Sequence, residues 1–300
     1  MKGLAEFAMR GRSQALLVVL IAASSLMFSW IGAAVLALVI LRKGVESGAW
    51  LLFWALLPAG TLLMIFGDSG PLMNLLGTAV LAVVLRTTVS LPITLVASVA
   101  IGVATGLAMV TFAADALSQM EVLLGEFLAN LEQQLGGGDE ELAATVELHR
   151  PSALQIAGML GLINAMGSSL CLLLARWWQA VLYNPGGFGQ EFKALLLPPA
   201  ITLALMVFAI GLFSLGMDYR TWAGIFVVPL TFAGLALVHA RAAFRGQGSG
   251  WLTGFYLLWL FFDPVKLIVV FVAIADSWMN FRQRWSNRVS ERDADDDENG

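Results

Sequence analysis

The apolar run 251–278 is interrupted by Asp263-Pro264-Val265-Lys266. A charge at mid-bilayer costs at least about 2.5–3.5 kcal/mol on insertion scales, so an ionisable residue in such a run marks either a site or a compensating pair. Lys266 follows Asp263 at helical spacing, so the two can pair on one face and offset part of that cost. The proline removes a backbone donor and kinks or ends the helix. The chemistry on offer is a substrate or proton site where a broken helix exposes backbone groups. The plainer alternative is an ion pair that seals the kink. A binding function predicts an internal polar cavity reached by Asp263, Lys266 and Asn164. Asn164 also reads, with Asn74 and Gln155, as an interhelical hydrogen bonder, each such bond worth about 1 kcal/mol or less.

Other chemistry is sparse. The chain has no H-E-x-x-H, no G-x-S-x-G and no Walker loop. His149 and His239 are its only histidines, stand far apart, and have no matching Cys or carboxylate cluster, so no metal site, cofactor or catalytic residue is expected. Asn184-Pro185-Gly186-Gly187-Phe188-Gly189 has the glycines of a phosphate loop, but no strand precedes it and no GK[ST] follows, so it reads as a turn between helices. Cys171 lies inside an apolar run and reads as helix packing.

The elements that must position these residues are transmembrane helices. The chain is 59% hydrophobic and 13% charged, whereas a soluble domain carries about 25% charged residues. No broad basic face exists for nucleic acid. Runs 49–66, 92–114, 154–182, 194–217 and 221–240 suit the roughly 20 apolar residues a spanning helix needs. The run 71–86 is short, and 14–41 is either one tilted helix or a tight pair around Ser29. Lys2, Arg10 and Arg12 ahead of the apolar Gln14–Phe28 mimic a signal peptide, but no A-x-A site follows, so an uncleaved first helix is expected.

Loop charge arbitrates between topologies, because cytoplasmic flanks collect Lys and Arg. With 14–41 a hairpin and the N-terminus inside, Arg42, Lys43, Arg86, Arg176, Lys193, Arg241 and Arg245 fall inside, and Arg150 and Arg220 outside. The tail bases Arg282, Arg284 and Arg288 then require 251–278 to enter and return. The rival topology, with 14–41 one helix and 251–278 a full span, leaves more bases outside. The expectation is an all-α polytopic bundle of about eight spans, with a broken or re-entrant C-terminal helix and both termini cytoplasmic. The lipid bilayer is its first partner.

The membrane domain is expected over 1–281, with an acidic extramembrane insertion at 115–150 and a charged, disordered tail over 282–300. In the insertion, Leu117, Met120, Leu124, Phe127, Leu128 and Leu131 recur at helical spacing. Gly136-Gly137-Gly138 should end that helix, with a second over 140–149; the pair reads as a cap or lid on the extracytoplasmic side. Gly102 and Gly106, extended by Ala100 and Ala108, form a small-residue stripe that reads as intramolecular packing. Arg176-Trp177-Trp178 and Arg220-Thr221-Trp222 read as interfacial anchors.

Val39-Ile40-Leu41-Arg42-Lys43-Gly44 with Gly48, the acidic helical insertion before Arg150-Pro151, Leu174-Ala175-Arg176, Phe192-Lys193 through Leu197-Pro198, and the closing Asp276-Ser277-Trp278-Met279-Asn280-Phe281-Arg282-Gln283-Arg284 stand out as a set. Together these segments resemble the YybS-like family of bacterial multi-pass membrane proteins. That family is distantly similar to the substrate-binding membrane subunits of energy-coupling-factor transporters. The resemblance implies a bacterial inner-membrane helical bundle with a small-molecule site. The expected function is therefore transport-related or small-molecule-binding, not enzymatic. The competing expectation is a non-catalytic scaffold or assembly factor, whose acidic loop or C-terminal tail contacts other membrane proteins.

Overall fold

The computed structural model describes residues 2–135, 148–285 and 287, and every regular element among them is helical. In chain order these are α1 (Lys2–Arg10), α2 (Arg12–Ala23), α3 (Ser29–Lys43), α4 (Val45–Phe66), α5 (Gly70–Thr88), α6 (Leu91–Phe112) and α7 (Ala114–Leu135). There follow α8 (Ala153–Tyr183), α9 (Gly187–Lys193), α10 (Pro199–Ser214), a 3-10 turn (Met217–Tyr219), α11 (Arg220–Phe244), α12 (Ser249–Phe261) and α13 (Asp263–Met279).

Among the described residues five helices are long and apolar enough to cross a membrane: α4, α5, α6, α8, and α11 with its preceding turn. The count reaches six if α12 and α13 are taken as one bent span. Fewer helices than the expected eight have spanning length, for identifiable reasons. Pro198 and Pro199 delay the start of α10, which has only 16 residues. The stretch 14–41 breaks between Ala23 and Ser29 into two short helices that fold back on each other, Gly32 lying against Val19 and Ala22. Of the two arrangements left open for 14–41, this is the pair around Ser29. Its reach is limited: the Trp30 carbonyl, at the start of α3, accepts from Cys171 Sγ in the middle of α8. All side chains from Ala33 to Leu41 are buried, so this stretch of α3 is enclosed by protein on every side.

Polar contacts sort the helix ends into two groups. At one end, Arg86 Nη1 donates to the Ile40 and Leu41 carbonyls at 3.2 and 2.7 Å. These are orphan acceptors of the last turn of α3. At the same end Arg42 covers the Tyr183 ring at 4.1 Å, Arg176 pairs with Glu191 at 2.6 Å, and Arg241 covers the Trp285 ring at 4.7 Å. At the other end, Ser152 Oγ donates to Asp218 at 2.7 Å and Trp222 Nε1 to the Leu154 carbonyl at 2.9 Å. The bases assigned to one side by loop charge thus gather at one end of the bundle. Helices α3, α5, α8, α11 and α13 all finish there.

The broken helix fits this frame. α12 and α13 are bent by 111° at Phe262, as a broken span or a re-entrant loop would be; Tyr256 of α12 lies beside Lys193, and Arg282, just after α13, bonds the Lys193 carbonyl. The Asp263-Pro264 break lies at the apex of that bend.

Small residues set the central crossing. Gly102 and Gly106 of α6 face Gly161 and Ala157 of α8, where an added Cβ would lie 2.9 Å from the Gly161 carbonyl oxygen and 3.1 Å from that of Ala157. The stripe therefore packs within the chain, as expected, and lets two backbones approach closely. Trp178 and Trp222 overturn their reading as anchors: they are 0% and 7% exposed and belong to the core.

The amphipathic helix expected in the acidic insertion is α7, and it lies at the end opposite the basic cluster. Glu121 accepts from the Ala153 amide at 3.1 Å, and Glu132 accepts from the Leu148 amide at 2.7 Å and pairs with Arg150. Gly136–Gly138 and most of 140–149 lie outside the described residues, as does the tail from 288 onward. The Leu148 amide, opposed by burial and helped by Arg150, holds the Glu132 carboxyl below its ordinary pKa of 4.5. A depressed folded-state pKa contributes stability above the unfolded value and loses it as pH falls through the folded one. Amide-exchange protection at Leu148 should therefore persist at pH 6–7 and disappear on acidification below the ordinary carboxylate range. Glu132→Gln should remove it at neutral pH, and protection surviving in that variant would show that the clamp is unimportant.

Candidate functional site

The structure separates the three residues singled out in the sequence. Asp263 and Lys266 do pair, at 2.7 Å, but their side chains are 87% and 42% exposed at the apex. The carboxylate opens the first turn of α13, where the helix dipole favours negative charge, and its neighbours Phe261, Phe262 and Leu267 are exposed apolar side chains. Asn164 is buried, donates to Thr105 Oγ1 of α6 at 2.8 Å and accepts from Ser168 Oγ at 3.2 Å. No hydrogen bond or ion pair among the described residues links it to Asp263 or Lys266. The interhelical role is general: Asn74 accepts from Cys171 Sγ, and Gln155 donates to the Met217 carbonyl at 2.7 Å.

A cavity that does combine polar and apolar chemistry lies at the basic end, between α8, α9, α11 and α12. Its volume is about 640 Å³, within the range of about 300–1,000 Å³ usual for ligand sites. Trp177 and Val181 come from α8, Phe188, Phe192 and Lys193 from α9, His239 and Ala243 from α11, and Tyr256 from α12. His239 Nε2 and Tyr256 Oη are 2.8 Å apart. Phe188 stacks on Phe192 with ring centres 5.8 Å apart, and Phe192 meets the edge of His239 at 5.5 Å. Gln247 also lines the cavity, and its buried amide oxygen has no hydrogen-bond partner among the described residues.

Local sequence explains how α9 forms one wall. Asn184 ends α8, Gly186 takes a left-handed conformation with φ of +86°, and the chain re-enters a helix at Gly187. The glycine-rich segment is thus a turn, as expected, followed by a short helix that carries Phe188, Phe192 and Lys193 to the cavity. That helix is held from both sides. Arg176 of α8 pairs with Glu191, and Arg282 Nε and Nη2 donate to the Lys193 and Leu195 carbonyls, each at 2.8 Å. Arg282, the first residue of the charged tail expected from the sequence, therefore docks on the bundle. Asn280 makes this possible: its left-handed backbone, φ +44°, ends α13 and turns Arg282 back onto Asp276.

A second cavity, of 520 Å³, lies between α10, α11 and α13 and is apolar except for Arg220 at its rim. It opens among the exposed side chains Ile210, Phe213, Leu267 and Phe271 and has the character of a groove facing lipid. Among the described residues no group of three His, Cys, Asp or Glu side chains is placed to hold a metal ion. His149 instead bonds Gln155 at 3.0 Å.

Sequence reasoning named Trp177, Lys193 and His239 but did not join them, and it passed over Phe188, Phe192 and Tyr256 as site residues. They come from four helices, so no local spacing announces them. The available signal was weaker: aromatic residues crowd the helix ends that also carry the bases.

Fold and cavity define the class as a polytopic helical membrane protein. No protein-family model matches the chain, and neither a curated protein nor a solved structure is significantly similar to it.

Proposed function

We propose that this chain is a small-molecule-binding, transport-related membrane protein whose ligand occupies the cavity between α8, α9, α11 and α12. The observation that carries the reading is the cavity's make-up, with Lys193, His239 and Tyr256 set among aromatic rings. A few convergent polar groups in an otherwise apolar recess are the usual composition of a ligand site. By the positive-inside rule the basic end is cytoplasmic, so the cavity opens to the cytoplasm and α7 lies outside. Both described chain ends then sit inside. Eight passes result if the α2–α3 hairpin counts as two, and six if it is re-entrant. Together with the resemblance to YybS-like proteins, this supports a bacterial inner membrane and a role beside a transport machine.

A Cβ at Gly189, in the cavity wall, meets nothing within 4 Å, so this position can carry a filling side chain without backbone conflict. The chain purified from native membranes in mild detergent should carry a near-stoichiometric small molecule by mass spectrometry, and Gly189→Trp should lose it. Co-purification of envelope or assembly proteins, with no small molecule in either form, would support the scaffold function instead.

A further inference from the structure

We infer that the cavity takes an organic anion with a flat apolar body, an assignment that rests on the small-molecule reading and specifies its ligand. Charge is the first argument. Lys193 and His239 line the cavity, and among the described residues no carboxylate does. Two neighbouring cations have carboxylate partners: Arg176 pairs with Glu191 and Arg282 with Asp276. Lys193 has no ion pair among the described residues. An uncompensated cation at a partly desolvated site favours an anion, because the attraction grows as the surroundings exclude water.

The hydrogen-bonding groups agree. If Tyr256 Oη donates to His239 Nε2 across their 2.8 Å contact, the ring proton resides on Nδ1, and that N–H is available to an acceptor. The lysine ammonium adds three donors. Shape is the second argument. Phe188 and Phe192 are stacked with planes 24° apart, and Trp177 and Tyr256 extend the aromatic lining. Such rings favour a planar partner in offset or edge contact. An aromatic cage for an organic cation would use the same rings, but Lys193 repels that ligand.

The test uses the full chain in phosphatidylcholine nanodiscs and one ring in three charge states: 2-naphthoate, 2-naphthamide and 2-naphthylmethylammonium. Equilibrium dialysis should show naphthoate binding at least about tenfold tighter than the amide, with the ammonium weakest, as expected for a charge-assisted hydrogen bond. Lys193→Met should bring naphthoate to the level of the amide, and Lys193→Arg should retain most of the preference. Cyclohexanecarboxylate should bind more weakly than naphthoate; equal binding would overturn the flat-body assignment. Equal affinity for all three naphthalenes would overturn the anion assignment and leave the small-molecule reading standing. If a folded chain with wild-type melting binds none of them, both fall. Repeating the titration in discs containing phosphatidylglycerol identifies the source of the anion: competition points to a lipid headgroup, its absence to a soluble metabolite, and either supports the assignment.

Discussion

Replacing Arg282 by methionine should destabilise the folded chain by about 3 kcal/mol, the scale on which breaking one side of a buried ion pair acts. The Asp276 side chain is 3% exposed and that of Arg282 16%, so neither charge is well hydrated once its partner is gone. Asp276 has one further partner, the Phe281 amide, which donates to Oδ1 at 2.8 Å. Arg282 does more, since it also satisfies the carbonyls of Lys193 and Leu195. Burial pulls the guanidinium pKa below its ordinary value, and Asp276 beside it opposes that shift, so the pair holds the charge in place. Arg282→Met should therefore lower the unfolding midpoint in a detergent–SDS titration and loosen the segment 193–198. Asp276→Asn should cost less than the arginine change, because an amide oxygen still accepts from Phe281. The double variant should be milder than the sum of the two, since neither charge is stranded. A midpoint for Arg282→Met within experimental error of wild type would show that water already screens the pair.

Gly161→Ala is expected to have the second largest effect, a loss of about 2 kcal/mol or more through overpacking. The added Cβ would overlap the Gly102 carbonyl oxygen, which is backbone and cannot rotate away. Ile225 lies on the same spot, with its Cδ1 at 3.1 Å. One methyl group thus forces α6 and α8 apart, and the Asn164–Thr105 hydrogen bond that joins the same two helices should lengthen with it. Gly125→Ala is the matched control. Gly125 sits in α7, and a methyl group added there would have no neighbour within 4 Å, so the change should stabilise the helix by roughly 0.5–1 kcal/mol. Equal effects of the two substitutions in the same SDS titration would mean that the α6–α8 approach is looser than the geometry states.

Much of the architecture was legible in the residues. Apolar runs of spanning length determined helices and a membrane, because no other arrangement of such runs satisfies backbone polar groups in lipid. The break at Asp263-Pro264 followed from a missing backbone donor, the packing role of Gly102 and Gly106 from the absence of side chains, and the hydrogen bonding of Asn74, Gln155 and Asn164 from amides in apolar helices. The gathering of bases at one end was already implicit in loop charge.

Tertiary structure alone decided which faces turn inward. In lipid the outer surface of a helix is as apolar as its packed face, so the pattern that marks a buried side in water is flattened. That is why Trp178 and Trp222, placed like headgroup anchors, proved to be core residues. The partial reach of the α2–α3 hairpin depends on where Trp30 meets α8, and the docking of Arg282 depends on the left-handed turn at Asn280. The cavity is the furthest from sequence. Its polar groups and rings stand on four helices, and only their packing makes one recess of them.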